Sequence, residues 1–175
     1  MSNYSQTTIR PIKAEDIEPL LGWLEAPHVK AWWGTETPQT NRLKYQSRLL
    51  SDALTRVFII QVDHKPAGMI QCYRHSDYPD CDKEIGIDNA IGIDYLIAAP
   101  ELTGKGIGTQ AIKMMTRMAL ILFPQMNTVV ASPHKENIAS CRALEKAGFT
   151  LVREAKLASA YPSQGASCIY QKCRL

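Results

Sequence analysis

The stretch that most constrains this 175-residue chain runs from Ile91 to Leu122. It begins with Ile91-Gly-Ile-Asp-Tyr-Leu-Ile97, an apolar run ending at Pro100. A loop with glycine at 104, 106 and 108 follows, and then an amphipathic segment. Strand, glycine loop and helix in that order have a physical use. Glycine lacks a Cβ, so successive backbone N–H groups can close around an anion. The unpaired N–H groups and dipole of a helix start also favour negative charge. The unit reads as a cradle for a pyrophosphate. Spacing excludes two familiar nucleotide sites. The dinucleotide fingerprint needs G-x-G-x-x-G where this chain has G-x-G-x-G, and Gly104-Lys105 lacks the four-residue loop that precedes Gly-Lys in a P-loop. The plain alternative is a strand–helix turn with no ligand.

Around this unit the pattern predicts one α/β domain with a mixed sheet over 1–175. Thr7 to Lys13 reads as an edge strand, because Pro11 cannot donate to a ladder. Ile17, Leu20, Leu21 and Leu24 have helical spacing, 28–34 reads as a second helical turn, and 38–54 as a third helix with Leu43, Leu50 and Leu54 on one side. Residues 56–62 and 67–73 form a hairpin around Asp63-His-Lys-Pro66. The central helix ends at Phe123-Pro124, and a short buried strand covers 127–131. A helix follows over 137–147, with Gly148 as its left-handed C′ residue, and two strands at 149–155 and 168–173 complete the chain.

Composition excludes several classes. At 45% hydrophobic and 21% charged the chain is that of an ordinary globular protein, and a net charge of +3 argues for neither nucleic acid nor membrane as a partner. No apolar run is long enough to span a bilayer, and Met-Ser-Asn-Tyr-Ser-Gln carries no signal-peptide core. Five irregularly spaced cysteines suit a reducing cytoplasm. Cys72, His75 and Cys81 fit no common zinc spacing, so no metal is expected. Between Asp77 and Asp94 six acids face one base, Lys83. That run is either a solvated loop or an acidic rim for a cationic substrate.

The glycine unit, followed by Asn137 and Glu145-Lys-Ala-Gly-Phe149, resembles the GNAT N-acetyltransferase superfamily. Trp32-Trp-Gly34, Gly92-Ile-Asp94 and Gly104-Lys-Gly-Ile-Gly-Thr109 are similar to the aminoglycoside 6′-N-acetyltransferases, in a group that also includes acyltransferases of hydroxylysine and hydroxyornithine in siderophore synthesis. The resemblance implies a mixed, mostly antiparallel central sheet with helices on both faces. It also implies acetyl-CoA as co-substrate and no metal. The family loop is Q/R-x-x-G-x-G/A, and this chain begins it with Thr103.

Transfer of an acetyl group to an amine needs a neutral amine, close positioning and a donor for the developing oxyanion. Asp94, an acid within an apolar strand, is the expected base; a sheet-edge carboxylate is the alternative. By the resemblance, backbone N–H groups near Leu96 and Ile97 polarise the thioester carbonyl. Thr103, Gly104, Lys105, Gly106, Ile107, Gly108 and Thr109 hold the pyrophosphate, with Lys105 alternatively a solvated charge. Asn137 bonds the pantetheine arm, caps the helix, or does both. Trp32 and Trp33 are expected to divide between core and cleft, with Glu36, Asp88, Asp94 and Tyr95 as further contacts to the amine.

Two positions depart from the family. Leu144 stands where a tyrosine usually protonates the thiolate, leaving unassisted departure, Tyr95 or Cys141. Ser132 replaces an aspartate of the aminoglycoside enzymes, and His134 and Lys135 are expected toward the cofactor phosphates. The expected function is acetyl-CoA-dependent N-acetylation of a small cationic amine by a monomer or homodimer, with the aminoglycoside 6′-amine as acceptor. Alternatives are a siderophore precursor, or a non-catalytic acyl-CoA sensor.

Overall fold

The computed structural model describes residues 6–175; the N-terminal residues whose composition spoke against a signal peptide lie, but for Gln6, outside them. The strands are β1 (Thr7–Pro11), β2 (Thr55–Val62), β3 (Lys65–Arg74), β4 (Ala90–Ile97), β5 (Thr128–Ala131), β6 (Thr150–Ala155) and β7 (Ser167–Cys173). They form one sheet in the order β1-β2-β3-β4-β5-β7-β6. Every pairing is antiparallel except β4 with β5. The hairpin between β2 and β3 turns on Asp63 and His64, both at positive φ, a geometry that matches the twist of the flanking strands.

Helices cover both faces. On one side α1 (Ile17–Glu25), α2 (Pro27–Trp33) and α3 (Pro38–Ser47) pack through Leu20, Leu21, Leu24, Val29 and Tyr45 onto Met69 and Leu96. On the other, α5 (Ile107–Leu122) presents Ile107, Ala111, Ile112, Met115 and Ala119, one face of a 3.6-residue period, to Ile70, Ile91, Ile93 and Val129. Helix α6 (Ile138–Lys146) joins that layer through Cys141 and Leu144. It ends as expected on Gly148 at φ +88°. The Gly148 N–H donates to Glu145 O and the Phe149 N–H to Leu144 O, so the last carbonyls are satisfied.

Two expectations are corrected. The acidic stretch is not a loop: Pro79–Ile85 forms α4, started by Pro79 and closed by Gly86 in the left-handed region. Helix α3 stops at Ser47, and its buried residues are Asn41 and Tyr45, whereas Leu43 and Leu50 are 60% and 62% exposed. The leucine spacing was helical, but tertiary packing selected the aromatic side.

Gly68 fixes how β3 meets β4. A Cβ there would lie 2.2 Å from the backbone oxygen of Leu96, an atom that cannot turn away. Gly68→Ala is therefore predicted to destabilise the fold by about 1–3 kcal/mol, the usual cost of overpacking, measured as a lowered urea midpoint at unchanged slope.

Candidate active site

Strand β4 has two unlike edges. It pairs with β3 along its length, from Ile91 opposite Arg74 to Ile97 opposite Gly68. With β5 it pairs only over Ala90–Gly92. Beyond Gly92 the two strands part, and a cleft of about 420 Å³ opens at the gap. The Ala98 N–H donates to Ala67 O, so Ala98 faces β3, and with a period of two Leu96 does the same. Ile97 then faces the open side, where its carbonyl accepts from His28 Nε2 at 3.0 Å. Of the two amides expected to polarise a carbonyl, that of Ile97 lies on the free edge and that of Leu96 on the paired one.

Side chains alternate across the same strand. Asp94 points to the face of α1–α3, whereas Tyr95 points to α6. Directly opposite Asp94 in the ladder is Gln71. The Arg48 Nη1 donates to Gln71 Oε1 at 2.9 Å, and the Gln71 Nε2 donates to Asp94 Oδ2 at 2.8 Å. Arg48 has no acceptor, so it fixes which end of the Gln71 amide faces the aspartate. Tyr73 Oη is 3.5 Å from the other carboxylate oxygen. Gly92 makes room for this arrangement, since a Cβ there would lie 2.6 Å from the Tyr73 ring and 2.7 Å from His75 Nε2. Burial pushes the Asp94 carboxyl above its ordinary range; Gln71, Arg48 and Tyr73 pull it back only in part.

The remaining candidates are spread unevenly. Trp32 and Trp33 both line the cleft and both are half-buried, so they do not divide between core and cleft. Tyr95 lines it too, its Oη 2.5 Å from Ser140 Oγ. Glu36 is paired with Lys44 at the protein surface. Asp88 is exposed in a separate depression with Ser76, Asp82 and Asn89, because the turn after Gly86 carries it past the bottom of β4.

The acidic rim is corrected in the same way. Asp77 is bonded to Arg74, and Glu84 accepts from the N–H groups of Ala158 and Ser159, pinning the loop before β7. Among the described residues Asp94 is the one carboxylate that lines the cleft. His134 does not face outward: Nε2 donates to Gln164 O at 2.7 Å, Nδ1 accepts from the Glu136 N–H, and the ring packs 5.4 Å from that of Trp32. Lys135 pairs with Glu154.

The glycine loop lies at the start of α5. Gly104 and Gly106 have φ of +72° and +81°, no side chain caps the start of α5, and Thr103, Gly104, Lys105 and Gly106 are exposed. Ile107 is buried against the core, and Gly108 and Thr109 continue the first turn. An exposed loop with free N–H groups and no Cβ at its bends fits a pyrophosphate. Asn137 caps α6 through Oδ1, which accepts from the Ser140 N–H, and its NH₂ group remains to donate into the cleft it lines. Among the described residues no group of three His, Cys, Asp or Glu is placed to hold a metal ion.

Residues 13–157 match the model of the Acetyltransferase (GNAT) domain. Aminoglycoside N(6′)-acetyltransferase type 1 of Klebsiella pneumoniae is 29% identical over 147 residues, 81% of this chain and 73% of that protein. N-hydroxyputrescine acetyltransferase of Acinetobacter baumannii is 26% identical over 174 residues, 93% of this chain and 78% of that protein. The crystal structure of aminoglycoside acetyltransferase AAC(6′)-Ib in complex with coenzyme A superposes with a TM-score of 0.78 at 23% identity, covering 97% of this chain and 95% of that one. The chain belongs to the GNAT acetyltransferase family, as an acetyl-CoA-dependent N-acetyltransferase.

Sequence reasoning missed Gln71, Tyr73, Lys44, Tyr45 and Arg48, which line the cleft on the same side as Asp94. Their one local signal was the recurrence of Lys44, Tyr45 and Arg48 at helical spacing beside the two tryptophans.

Asp94 supplies a direct test. The folded chain holds its proton more tightly than the unfolded chain, so ionising it costs stability as pH rises past the ordinary aspartate range, near 4. Asp94→Asn keeps an acceptor for Gln71 and is predicted to be at least as stable as the wild type at pH 7 by urea unfolding. The same variant should lose at least tenfold in kcat/KM.

Proposed function

We propose that the protein is a single acetyltransferase domain, working in the cytoplasm, that acetylates a primary amine of a small molecule held at Asp94. The observation that carries this reading is the one cleft carboxylate, placed where β4 leaves β5. Acetyl-CoA supplies the acetyl group, activated as a thioester. Gly104, Lys105, Gly106, Gly108 and Thr109 would hold its pyrophosphate, and Asn137 its pantetheine arm.

The chain's own residues do the rest. An alkylammonium must lose a proton before it can attack. Asp94 Oδ1, which Gln71 does not reach and Tyr73 Oη meets only at 3.5 Å, takes that proton directly or through water. Its raised pKa makes it a better base than an ordinary aspartate. The Ile97 N–H on the open edge is the donor for charge developing on a carbonyl oxygen. The buried side chain of Leu144, fully shielded from solvent, cannot supply the family's acid. Cys141 is also buried, against His134 O. Tyr95 with Ser140 is the hydroxyl pair on that side, one helical turn from Leu144. Burial lifts the Tyr95 phenol well above its usual value, so it acts as a hydrogen-bond donor rather than a strong acid. Tyr95→Phe is predicted to lower kcat about tenfold, below the usual range for loss of a general acid, with acceptor KM unchanged.

The aminoglycoside 6′-amine is supported as acceptor by the Klebsiella relative. A second reading, an N-hydroxylated amine of the siderophore-precursor kind, is supported by the likeness to an N-hydroxyputrescine acetyltransferase and by the cleft, whose lining sets Lys44 and Arg48 beside the single Asp94 and so does not favour a polycation. Free thiol release from acetyl-CoA across a panel of kanamycin, diamines, hydroxyornithine and a short peptide tests the reading. Turnover of at least one small primary amine is expected. Acetyl-CoA binding without turnover of any of them would make the protein a sensor instead.

A further inference from the structure

The charges around the cleft do not suit a polycation. Among its lining residues the acidic and strongly basic side chains are Asp94, Lys44 and Arg48. Lys44 is matched by Glu36. Arg48 is not matched: among the described residues no carboxylate lies within 4.0 Å of it. Its guanidinium gives one bond to the neutral Gln71 amide and lies 5.1 Å from the centre of the Tyr45 ring. A guanidinium has five donors, so this half-buried group retains most of its capacity. A cation partly removed from water and lacking a counter-ion is a site that favours an anion, and the planar fork suits a carboxylate.

We propose that the acceptor carries a carboxylate as well as its reactive amine, and that Arg48 receives that carboxylate while Asp94 receives the amine. This rests on the acetyl-transfer reading above. The two charges are a mirror of an amino acid. One amide, that of Gln71, lies between them, which puts guanidinium and carboxylate roughly 8 Å apart at most. An acceptor of the lysine or ornithine type, with its terminal amine and carboxylate separated by about 5–7 Å of chain, spans that interval. Its methylene stem would run along Tyr73, a half-buried aromatic wall of the same cleft. A diamine leaves Arg48 unpaired, and a polyamino sugar places further positive charge against it.

The competing role for Arg48 is to orient Gln71 alone. The two roles separate when acceptors with and without a carboxylate are compared in one enzyme, because a defect at Gln71 and Asp94 acts on both alike. With acetyl-CoA saturating, kcat/KM is measured by thiol release for lysine, ornithine and their N-hydroxylated forms, and for cadaverine, putrescine and kanamycin. The best carboxylate-bearing amine should exceed its decarboxylated counterpart at least tenfold, and Arg48→Met should reduce that ratio at least tenfold. An unchanged ratio in the variant would assign Arg48 to Gln71 only. A wild-type enzyme that prefers cadaverine, putrescine or kanamycin would overturn the anion site and leave acetyl transfer standing; no thiol release with any amine would overturn both. Titration calorimetry on the coenzyme A-saturated wild type gives a reading independent of turnover and of whether the variant folds. Lysine should bind at least tenfold tighter than cadaverine, and equal affinities would contradict the proposal.

Discussion

The site depends on the early parting of β4 from β5. Three residues of parallel pairing hold the sheet together at Ala90–Gly92, and after them the β5-side edge of β4 has no strand to bond. An unpaired strand edge inside a protein is costly unless another group meets it. Here His28 reaches from α2 to the Ile97 carbonyl, and the remaining edge borders the cleft. Because β4 stays fully paired with β3, the gap opens without loosening the strand that carries Asp94. One strand therefore presents two kinds of group. Its free backbone edge borders the cleft, and its side chains divide between the face of α1–α3, with Asp94, and the face of α6, with Tyr95.

Asp94 shows what this placement costs. Burial disfavours its charged form, and the neighbours that oppose burial are a neutral amide, a phenol and the more distant charges of Arg48 and Lys44. An aspartate paired directly with arginine would be more comfortable and a poorer base. Holding Arg48 one residue back leaves the carboxylate without a directly bonded cation. That spacing also leaves the guanidinium open on its other side. Burying an ionisable group in this way costs stability, an exchange that is common at functional sites.

Much of the frame was legible because it is local. The glycine loop, the periodic helix after it, the hairpin and the Gly148 stop each depend on neighbouring residues, and each sits where the pattern places it. The cofactor loop belongs to this group. The acceptor side is different, because it is assembled by pairing across the sheet. Nothing near Gln71 in sequence indicates that it lies opposite Asp94, and nothing near Arg48 indicates that it reaches Gln71. The acidic stretch misled for the same reason. Six acids close in sequence are scattered in space by α4 and its glycine cap, and two of them, Asp77 and Glu84, are bonded to Arg74 and to the loop before β7. Leu43 and Leu50 misled by composition, since α3 buries Tyr45 in their place.

On the proposed function, the gap beside β4 brings an amine at Asp94 to the acyl donor's side of the sheet. A crystal structure of the protein with coenzyme A and lysine shows whether it does. The pantetheine arm is predicted to lie between β4 and β5, with the lysine side-chain nitrogen within hydrogen-bond distance of Asp94 and its carboxylate on Arg48. An acceptor bound outside the cleft, with Asp94 still closed off by Gln71 and Tyr73, would contradict it.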